Sequence, residues 1–174
     1  MSLLGKNNST TASEFQENLE LLRQTYFFSG MPLETLKVFA YLCSREKFKQ
    51  DEYIFNQDED DGRAFYIING QARLERRDNG GIIGVREYTT GDFIGGLTLL
   101  GETKRLFSLK SDTDTTCLVL GRDKFSKTMA QFPSLLAKIC NAVAKSIDIW
   151  EERFLSNRAD QCGDCLNQLG VTLI

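Results

Sequence analysis

The sequence predicts an α+β, mainly β protein, in which an antiparallel β-roll or jelly-roll barrel is flanked by N-terminal helices and a long C-terminal helix. Two observations lead to this fold class. Apolar residues recur every three or four positions near both ends of the chain, which is the helical period. Between these regions the period changes to two, and turn signals follow at short intervals, as in antiparallel sheets. A chain of 174 residues forms one domain by default.

The N-terminal part of the chain predicts two helices. A capping box with Ser13 as the N-cap opens the first helix, and apolar residues at helical spacing carry it to about Tyr26. Pro32 suits the first turn of a second helix, which is expected to end near Ser44. Residues 1–12 are rich in Asn, Ser and Thr and are expected to form a flexible N-terminus.

The middle of the chain predicts short strands. Asp78 to Gly81 reads as a hairpin turn, because its central Asn-Gly tolerates the positive φ angles that such turns require. The strands are expected at Tyr53 to Phe55, Ala64 to Ile68, Gln71 to Arg76, Ile82 to Tyr88, Phe107 to Lys110 and Thr116 to Leu120. Short strands with regular turns favour a barrel or a sandwich over a parallel sheet.

Beyond Arg122 the period is helical again. A short helix contains Phe125 and Met129, and Pro133 opens a longer helix that is expected to reach about Leu155. A narrow apolar seam runs along it: Leu136, Ile139, Val143, Ile147, Trp150 and Phe154. The seam has two interpretations, packing against the protein's own barrel or pairing with a second helix. Pairing is favoured because the seam continues beyond the expected reach of the barrel, and it predicts a homodimer through the Pro133–Leu155 helix.

The stretch from Gly91 to Ser108 is typical of a binding loop. It concentrates glycines at Gly91, Gly95, Gly96 and Gly101. Its apolar run, Leu97 to Leu100, is long enough for a single helical turn. The first backbone N–H groups of such a turn have no partner within the helix and attract anions. Arg105 lies further along the same loop and could reach the same anion.

These features resemble the cyclic-nucleotide-binding domain family, which includes catabolite-activator-type regulators and the regulatory subunits of cyclic-nucleotide-dependent kinases. The family's phosphate-binding cassette reads roughly Gly-Asp-x-Phe-Gly-Glu, then x-Ala-Leu-Leu, then Arg-x-Ala. The stretch from Gly91 to Phe107 is similar to it. Upstream, Tyr66 to Ala72 is similar to the family's Tyr-Ile-Ile-x-Gly-x-Val. The resemblance covers the chain from about Leu33 to Phe154.

The resemblance implies a ligand, cAMP or cGMP, at the cassette. It assigns the ligand to Gly95, Gly96, Leu97, Thr98, Arg105, Leu106 and Phe107. In the family the cassette Arg pairs with the cyclic phosphate, a role that falls to Arg105, and the cassette Glu accepts a hydrogen bond from the ribose 2′-hydroxyl. Gly96 stands at the Glu position, and losing such a bond weakens binding about 10- to 100-fold. Leu106 and Phe107 are larger than the family's small residues and could fill the pocket.

Two functions follow from this interpretation. The first is a non-enzymatic regulatory module that binds a cyclic nucleotide or a related anionic ligand and transmits the signal through the dimerising helix to an unknown effector protein. The alternative is a degenerate, ligand-free β-roll that acts as a dimeric interaction domain, with Arg105 paired to a nearby carboxylate. Only the tail from Ser156 to Ile174 follows the long helix, so a helix-turn-helix like that of the family's transcription factors is not expected.

The amino-acid composition argues against several other functions and partners. Histidine is absent, which removes His-based triads and His–metal sites, so neither catalytic residues nor a metal or cofactor is expected. A net charge of −3 without a basic patch disfavours nucleic acid as a partner. No apolar run approaches the roughly 18 residues of a membrane span. Five cysteines without an apolar signal core predict a cytoplasmic protein.

The last candidates are expected to be structural. The acidic loop Gln57–Gly62 lacks the ligand pattern of an EF-hand and is interpreted as a solvated turn. Cys162 and Cys165 supply half of a zinc site and fall in the predicted tail. The other cysteines, Cys43, Cys117 and Cys140, are expected in the core. The predicted domains are the N-terminus 1–12, the binding domain 13–160 with its C-terminal helix, and the tail 161–174.

Overall fold

Two four-stranded antiparallel sheets form the body of the described chain, and five α-helices pack around them. The structure is a computed structural model that describes residues 5–158, with side chains for residues 12–152. Along the chain, the strands come between two N-terminal helices and a long C-terminal helix. This arrangement confirms the predicted α+β class and its β-roll.

The elements follow one another in the predicted order. The helices are α1 (Gly5–Gln24), α2 (Leu33–Leu42), α3 (Gly96–Leu100), α4 (Arg122–Gln131) and α5 (Leu136–Arg158), with 3-10 turns at Tyr26–Phe28 and Pro133–Leu135. The strands are β1 (Ser44–Phe48), β2 (Tyr53–Phe55), β3 (Arg63–Asn69), β4 (Gln71–Asp78), β5 (Gly81–Thr89), β6 (Phe93–Ile94), β7 (Ser108–Ser111) and β8 (Thr115–Gly121).

The sheet topology brings the glycine-rich loop to one sheet edge. One sheet has the strand order β1-β8-β3-β6, and the other has β2-β7-β4-β5. β4 and β5 form the predicted hairpin, in which Asp78 pairs with Gly81. Gly81 takes a φ of 123° there, which favours glycine. Only Gly95 separates β6 from α3, so α3 begins at the β6 edge of the first sheet.

Two apolar clusters form the core. One packs the helices against the first sheet and includes Phe28, Phe39 and Leu99. The other lies between the two sheets and includes Phe65 and Leu109. Leu99 is only 1% exposed, and burying such a side chain contributes about 1.5–3 kcal/mol. The single turn of α3 is therefore anchored in the helical core.

Several boundaries differ from the predicted ones. α1 begins at Gly5 and not at Ser13, because the polar residues before Ser13 continue the helix. The Ser13 hydroxyl lies inside α1 and donates to Glu17, so the predicted N-cap is wrong. β1 was not predicted, since its sequence, Ser-Arg-Glu-Lys-Phe, is dominated by charged residues. β7 begins at Ser108, which leaves Phe107 in the loop.

α5 both packs on the barrel and exposes an apolar face. Ile139 is 1% exposed, whereas Leu136 and Trp150 are 51% and 55% exposed. Packing against the barrel therefore accounts for Ile139, whereas pairing with a second helix stays a prediction. The side chain of Phe154 lies outside the described ones. Cys140 is exposed, so its predicted place in the core is wrong. Among the described helices, none is long and apolar enough to cross a membrane.

Candidate functional site

The cassette turn, residues Gly95–Leu100, is a single turn of helix held against β3. Gly95 precedes α3 with a φ of +86°, and the N–H of Thr98 donates to the Gly95 carbonyl at 3.1 Å. The Thr98 hydroxyl lies 2.8 Å from the carbonyl oxygen of Arg63 and 2.7 Å from that of Gly95. The predicted single-turn helix is present, and Thr98 fixes its position on the sheet.

Gly95 leaves room for Arg105. A Cβ atom at Gly95 would lie 2.7 Å from Nη1 of Arg105 and 2.8 Å from the carbonyl oxygen of Arg63. The backbone at Gly95 is left-handed as well, a conformation that side chains with a Cβ rarely adopt. Two separate constraints therefore require glycine where the guanidinium meets the turn.

Arg105 is buried and paired with an aspartate. Its side chain is 7% exposed. Nε and Nη2 lie 3.0 and 2.8 Å from Oδ1 of Asp61, and Nη2 also donates to the Arg63 carbonyl. The guanidinium stacks over the ring of Phe55, with its carbon 4.1 Å from the ring centroid. Burial lowers the pKa of the Arg105 guanidinium, and the Asp61 charge opposes this shift.

One nitrogen of Arg105 has no hydrogen-bond partner among the described residues. Nη1 makes no hydrogen bond with any described residue, and it lies beside Gly95 at the start of the cassette turn. On the other side of the pair, Oδ2 of Asp61 is buried without a hydrogen-bond donor among the described residues. The site thus keeps one cationic donor free while its charge is balanced internally.

The acidic loop Gln57–Gly62 positions Arg105, a role that the sequence did not predict. The N–H of Asp58 donates to the Arg105 carbonyl, and the N–H of Arg105 donates to the Glu59 carbonyl, both at 2.8 Å. Asp61 from the same loop supplies the counter-charge. The loop is therefore part of the site and not only a solvated turn. Its two adjacent aspartates, Asp60 and Asp61, were the available signal, since loop carboxylates next to a buried arginine pair with it.

Arg122 connects the same loop to the helices. Its Nε donates to the Thr98 carbonyl at 2.6 Å, and Nη1 donates to Oδ2 of Asp60 at 3.0 Å. The Arg122 hydrogen bond lowers the pKa of the Asp60 carboxyl. Arg122 is the first residue of α4. The cassette turn, the acidic loop and α4 are therefore joined by the Arg122 side chain, which no sequence pattern singled out.

Gly96 and Leu97 lie on a different side of the turn from Arg105. A Cβ atom at Gly96 would lie 2.8 Å from the ring of Phe27 and 3.1 Å from that of Phe93. A glutamate at this position would therefore require Phe27 to move. Leu97 is 57% exposed. The structure brings Gly95, Thr98 and Arg105 together, and it turns Gly96 and Leu97 towards the aromatic rings.

Leu106 and Phe107 follow Arg105 along the loop and contact Arg76 of β4. Nη1 of Arg76 donates to the Leu106 carbonyl at 3.2 Å, and its guanidinium lies 5.8 Å from the Phe107 ring centroid. The Leu106 side chain is exposed, and that of Phe107 is half-buried. The bulk of Leu106 is thus directed to solvent, and Phe107 is held by a cation–π contact.

The remaining candidates are a metal site and the cysteines. No group of three His, Cys, Asp or Glu side chains in the described part of the chain could hold a metal ion. Burial raises the pKa of the Cys43 and Cys117 thiols to about 12, which keeps them protonated and unreactive. Cys162 and Cys165 lie outside the described residues.

Comparison with known proteins gives consistent matches. The family model described as "Cyclic nucleotide-binding domain" matches residues 45–132. A cAMP-dependent protein kinase regulatory subunit from Neurospora crassa is 29% identical over 118 residues, which are 67% of this chain and 30% of that protein. A lysophospholipase NTE1 from Phaeosphaeria nodorum is 30% identical over 94 residues, 53% of this chain and 6% of that protein. The chain therefore spans less than a third of these relatives.

A solved structure agrees in fold. A cyclic nucleotide-binding domain from Methylobacillus flagellatus superimposes with a TM-score of 0.67 at 18% identity, covering 90% of this chain and 85% of that one. The likeness at this identity is one of fold.

Proposed function

Because the chain belongs to the cyclic nucleotide-binding domain family, we propose that it is a non-enzymatic regulatory module that binds cAMP or cGMP at the cassette turn. The observation that carries the proposal is the buried Arg105, whose Nη1 lies free beside Gly95. A fixed guanidinium with an open donor suits a phosphate oxygen. The kinase regulatory subunit among the relatives supports the same ligand class.

Binding at this site has an electrostatic cost. The phosphate would approach a guanidinium that already pairs with Asp61, so phosphate and carboxylate would repel each other. The Gly96 position adds no carboxylate for the ribose. Both effects lower the affinity, and the ligand is therefore expected to bind more weakly than in a cassette with glutamate.

The same contacts suggest how a ligand would act at a distance. A phosphate at Arg105 would disturb the acidic loop, and Asp60 of that loop holds Arg122. Arg122 also bonds the Thr98 carbonyl and begins α4. Ligand binding would thus alter how α4 and α5 pack, provided that the ligand has different affinities for the two arrangements.

The output surface in this proposal is α5. Its exposed seam residues Leu136 and Trp150 would pair with a second chain along the Pro133–Leu155 helix, and an effector protein would bind the resulting dimer. The free thiols of Cys43, Cys117 and Cys140 favour a reducing compartment, the cytoplasm. Sedimentation tests the pairing: Leu136→Lys should convert dimers into monomers, whereas a wild-type monomer at tens of micromolar would contradict it.

Calorimetric titration with cAMP and cGMP tests the ligand. Saturable binding that is abolished by Arg105→Ala and kept by Arg23→Ala is expected, because Arg23 is an exposed arginine of α1 that pairs only with Glu20 among described residues. Dissociation constants weaker than millimolar for both nucleotides would remove the proposal. That result would favour the second candidate, a ligand-free dimeric interaction domain, which the Asp61–Arg105 pair specifically supports.

A further inference from the structure

An aromatic groove lies on the Gly96 side of the cassette turn. Its wall is formed mainly by Tyr26, Phe27, Phe93, Leu97, Ile147 and Trp150, and its volume is about 550 Å³. Pockets for small molecules have volumes of about 300–1,000 Å³ and are mostly apolar with a few polar groups. The groove has both properties. Arg105 does not line it, so it is separate from the anion site.

Asp92 is the one charged residue among the described residues that line this groove. Oδ2 of Asp92 accepts the N–H of Thr89 at 2.8 Å, and Oδ1 accepts no hydrogen bond from a described residue. No described Lys or Arg forms an ion pair with Asp92. The half-buried Asp92 thus borders the aromatic groove without a counter-ion from the described chain, and its negative charge complements a positive one.

We propose that the aromatic groove binds a small organic cation, an ammonium group joined to an apolar ring. The ring would lie against Phe27, Leu97 and Ile147, and the ammonium would donate to Oδ1 of Asp92. Aromatic faces such as that of Trp150 attract cations as well. An anionic ligand such as a cyclic nucleotide does not suit this site, so the proposal is independent of the function assigned to Arg105.

A ligand in the aromatic groove would influence how α5 packs. The groove is bordered by the first 3-10 turn, by the cassette turn and by α5. A molecule that contacts Tyr26, Leu97 and Trp150 together would hold α5 against the cassette turn. It would favour one packing of α5 by its differential affinity for that packing.

The single tryptophan of the chain, Trp150, reports on the groove directly. The full chain is titrated with 2-phenylethylamine, with its neutral analogue 2-phenylethanol and with phenylacetate, while Trp150 emission is recorded. The amine should bind at least about tenfold more tightly than the alcohol, because a hydrogen bond between charged groups is added. Phenylacetate should bind least. An amine that binds no better than the alcohol overturns the proposal.

Matched variants assign the effect to Asp92. Asp92→Asn keeps an acceptor for the Thr89 N–H and removes the charge, so the amine should fall to the affinity of the alcohol. Asp58→Asn, an exposed acid outside the groove, should leave the preference unchanged. Leu97→Lys provides a second variant at an exposed position and should repel the amine. Unchanged amine preference in both Asp92→Asn and Leu97→Lys contradicts the proposal.

Two further measurements distinguish the cation site from the Arg105 site and from a groove that is covered by a second copy of the chain. Arg105→Ala should keep amine binding, whatever it does to nucleotide binding, so that the two proposals fail independently. If Trp150 emission changes with protein concentration and the amine has no effect, a second copy of the chain covers the groove, and the proposed cation site is wrong.

Discussion

The two sides of the cassette turn differ in whether their charged groups already have partners within the described chain. On the Arg105 side, a buried guanidinium is neutralised by Asp61 and stacked on Phe55. On the Gly96 side, aromatic rings line an open groove of about 550 Å³, and Asp92 is the one charged residue among its described lining residues. Adjacent glycines serve the two sides, since Gly95 makes room for Arg105 and Gly96 makes room for Phe27.

The difference shows that two faces of one helical turn can carry different chemistry. A ligand on the Arg105 side must compete with a charge that is already in place, which reduces its net gain. A ligand on the Gly96 side enters a preformed cavity and loses less energy to reorganisation. If both proposals hold, the first site should select a strong anion, and the second should accept a ligand through weaker contacts.

The largest expected effect comes from Asp61→Asn. The substitution leaves Arg105 buried without its counter-charge, and breaking such a pair costs about 3 kcal/mol. Denaturation in urea should show this loss of unfolding free energy. Sulfate should restore more stability to the variant than to the wild type, because it can take the place of the carboxylate at the guanidinium.

Glu59→Gln is the matched control for Asp61→Asn. Glu59 is an exposed acid of the same loop and contacts Arg105 through its backbone carbonyl only. Its substitution should change stability little. An Asp61→Asn variant as stable as the wild type would mean that Asp61 does not hold Arg105, and the contrast between the two sides would lose its electrostatic basis.

The next effect tests the glycine on the Arg105 side. Gly95→Ala places a Cβ 2.8 Å from the Arg63 carbonyl oxygen at a φ of +86°, and strain with overlap should cost about 2 kcal/mol or more. Gly101→Ala is the control at the other end of α3, where a Cβ meets nothing within 4 Å. Equal unfolding free energies for the two variants would contradict the assigned role of Gly95.

Substitution of the glycine on the groove side, Gly96, should destabilise the protein less than substitution of Gly95. At Gly96 a Cβ would meet the Phe27 ring at 2.8 Å, and overpacking costs about 1–3 kcal/mol. Gly96→Ala also gains up to about 1 kcal/mol of helix propensity. A net loss of about 1 kcal/mol is expected in urea denaturation. A loss as large as that of Gly95→Ala would show that both sides are equally constrained.

The sequence predicted the backbone elements of this site better than the contacts between them. The glycine pattern and the length of the apolar run predicted the single turn of α3, because these depend on local backbone preferences. The Asp61–Arg105 pair crosses 44 residues, and periodicity holds no information about which loops meet. The resemblance identifies Gly96 as standing where the family has a glutamate. Its contact with Phe27 could not be predicted in this way, because that contact depends on the packing of a distant 3-10 turn.

The smallest expected effect concerns Asp60, at the exposed end of the network. Arg122 lowers the pKa of the folded Asp60 carboxyl, so the stabilisation is present above the unfolded pKa of about 3.9 and is lost as pH falls through the folded value. The difference in unfolding free energy between wild type and Asp60→Asn should therefore be constant from neutral pH to about pH 5 and should shrink below about pH 4. In an Arg122→Gln background this pH dependence should largely disappear, because the partner that lowers the pKa is gone. A difference that persists in acid would mean that Asp60 acts through its shape and not through its charge, and the link between the acidic loop and α4 would then be steric.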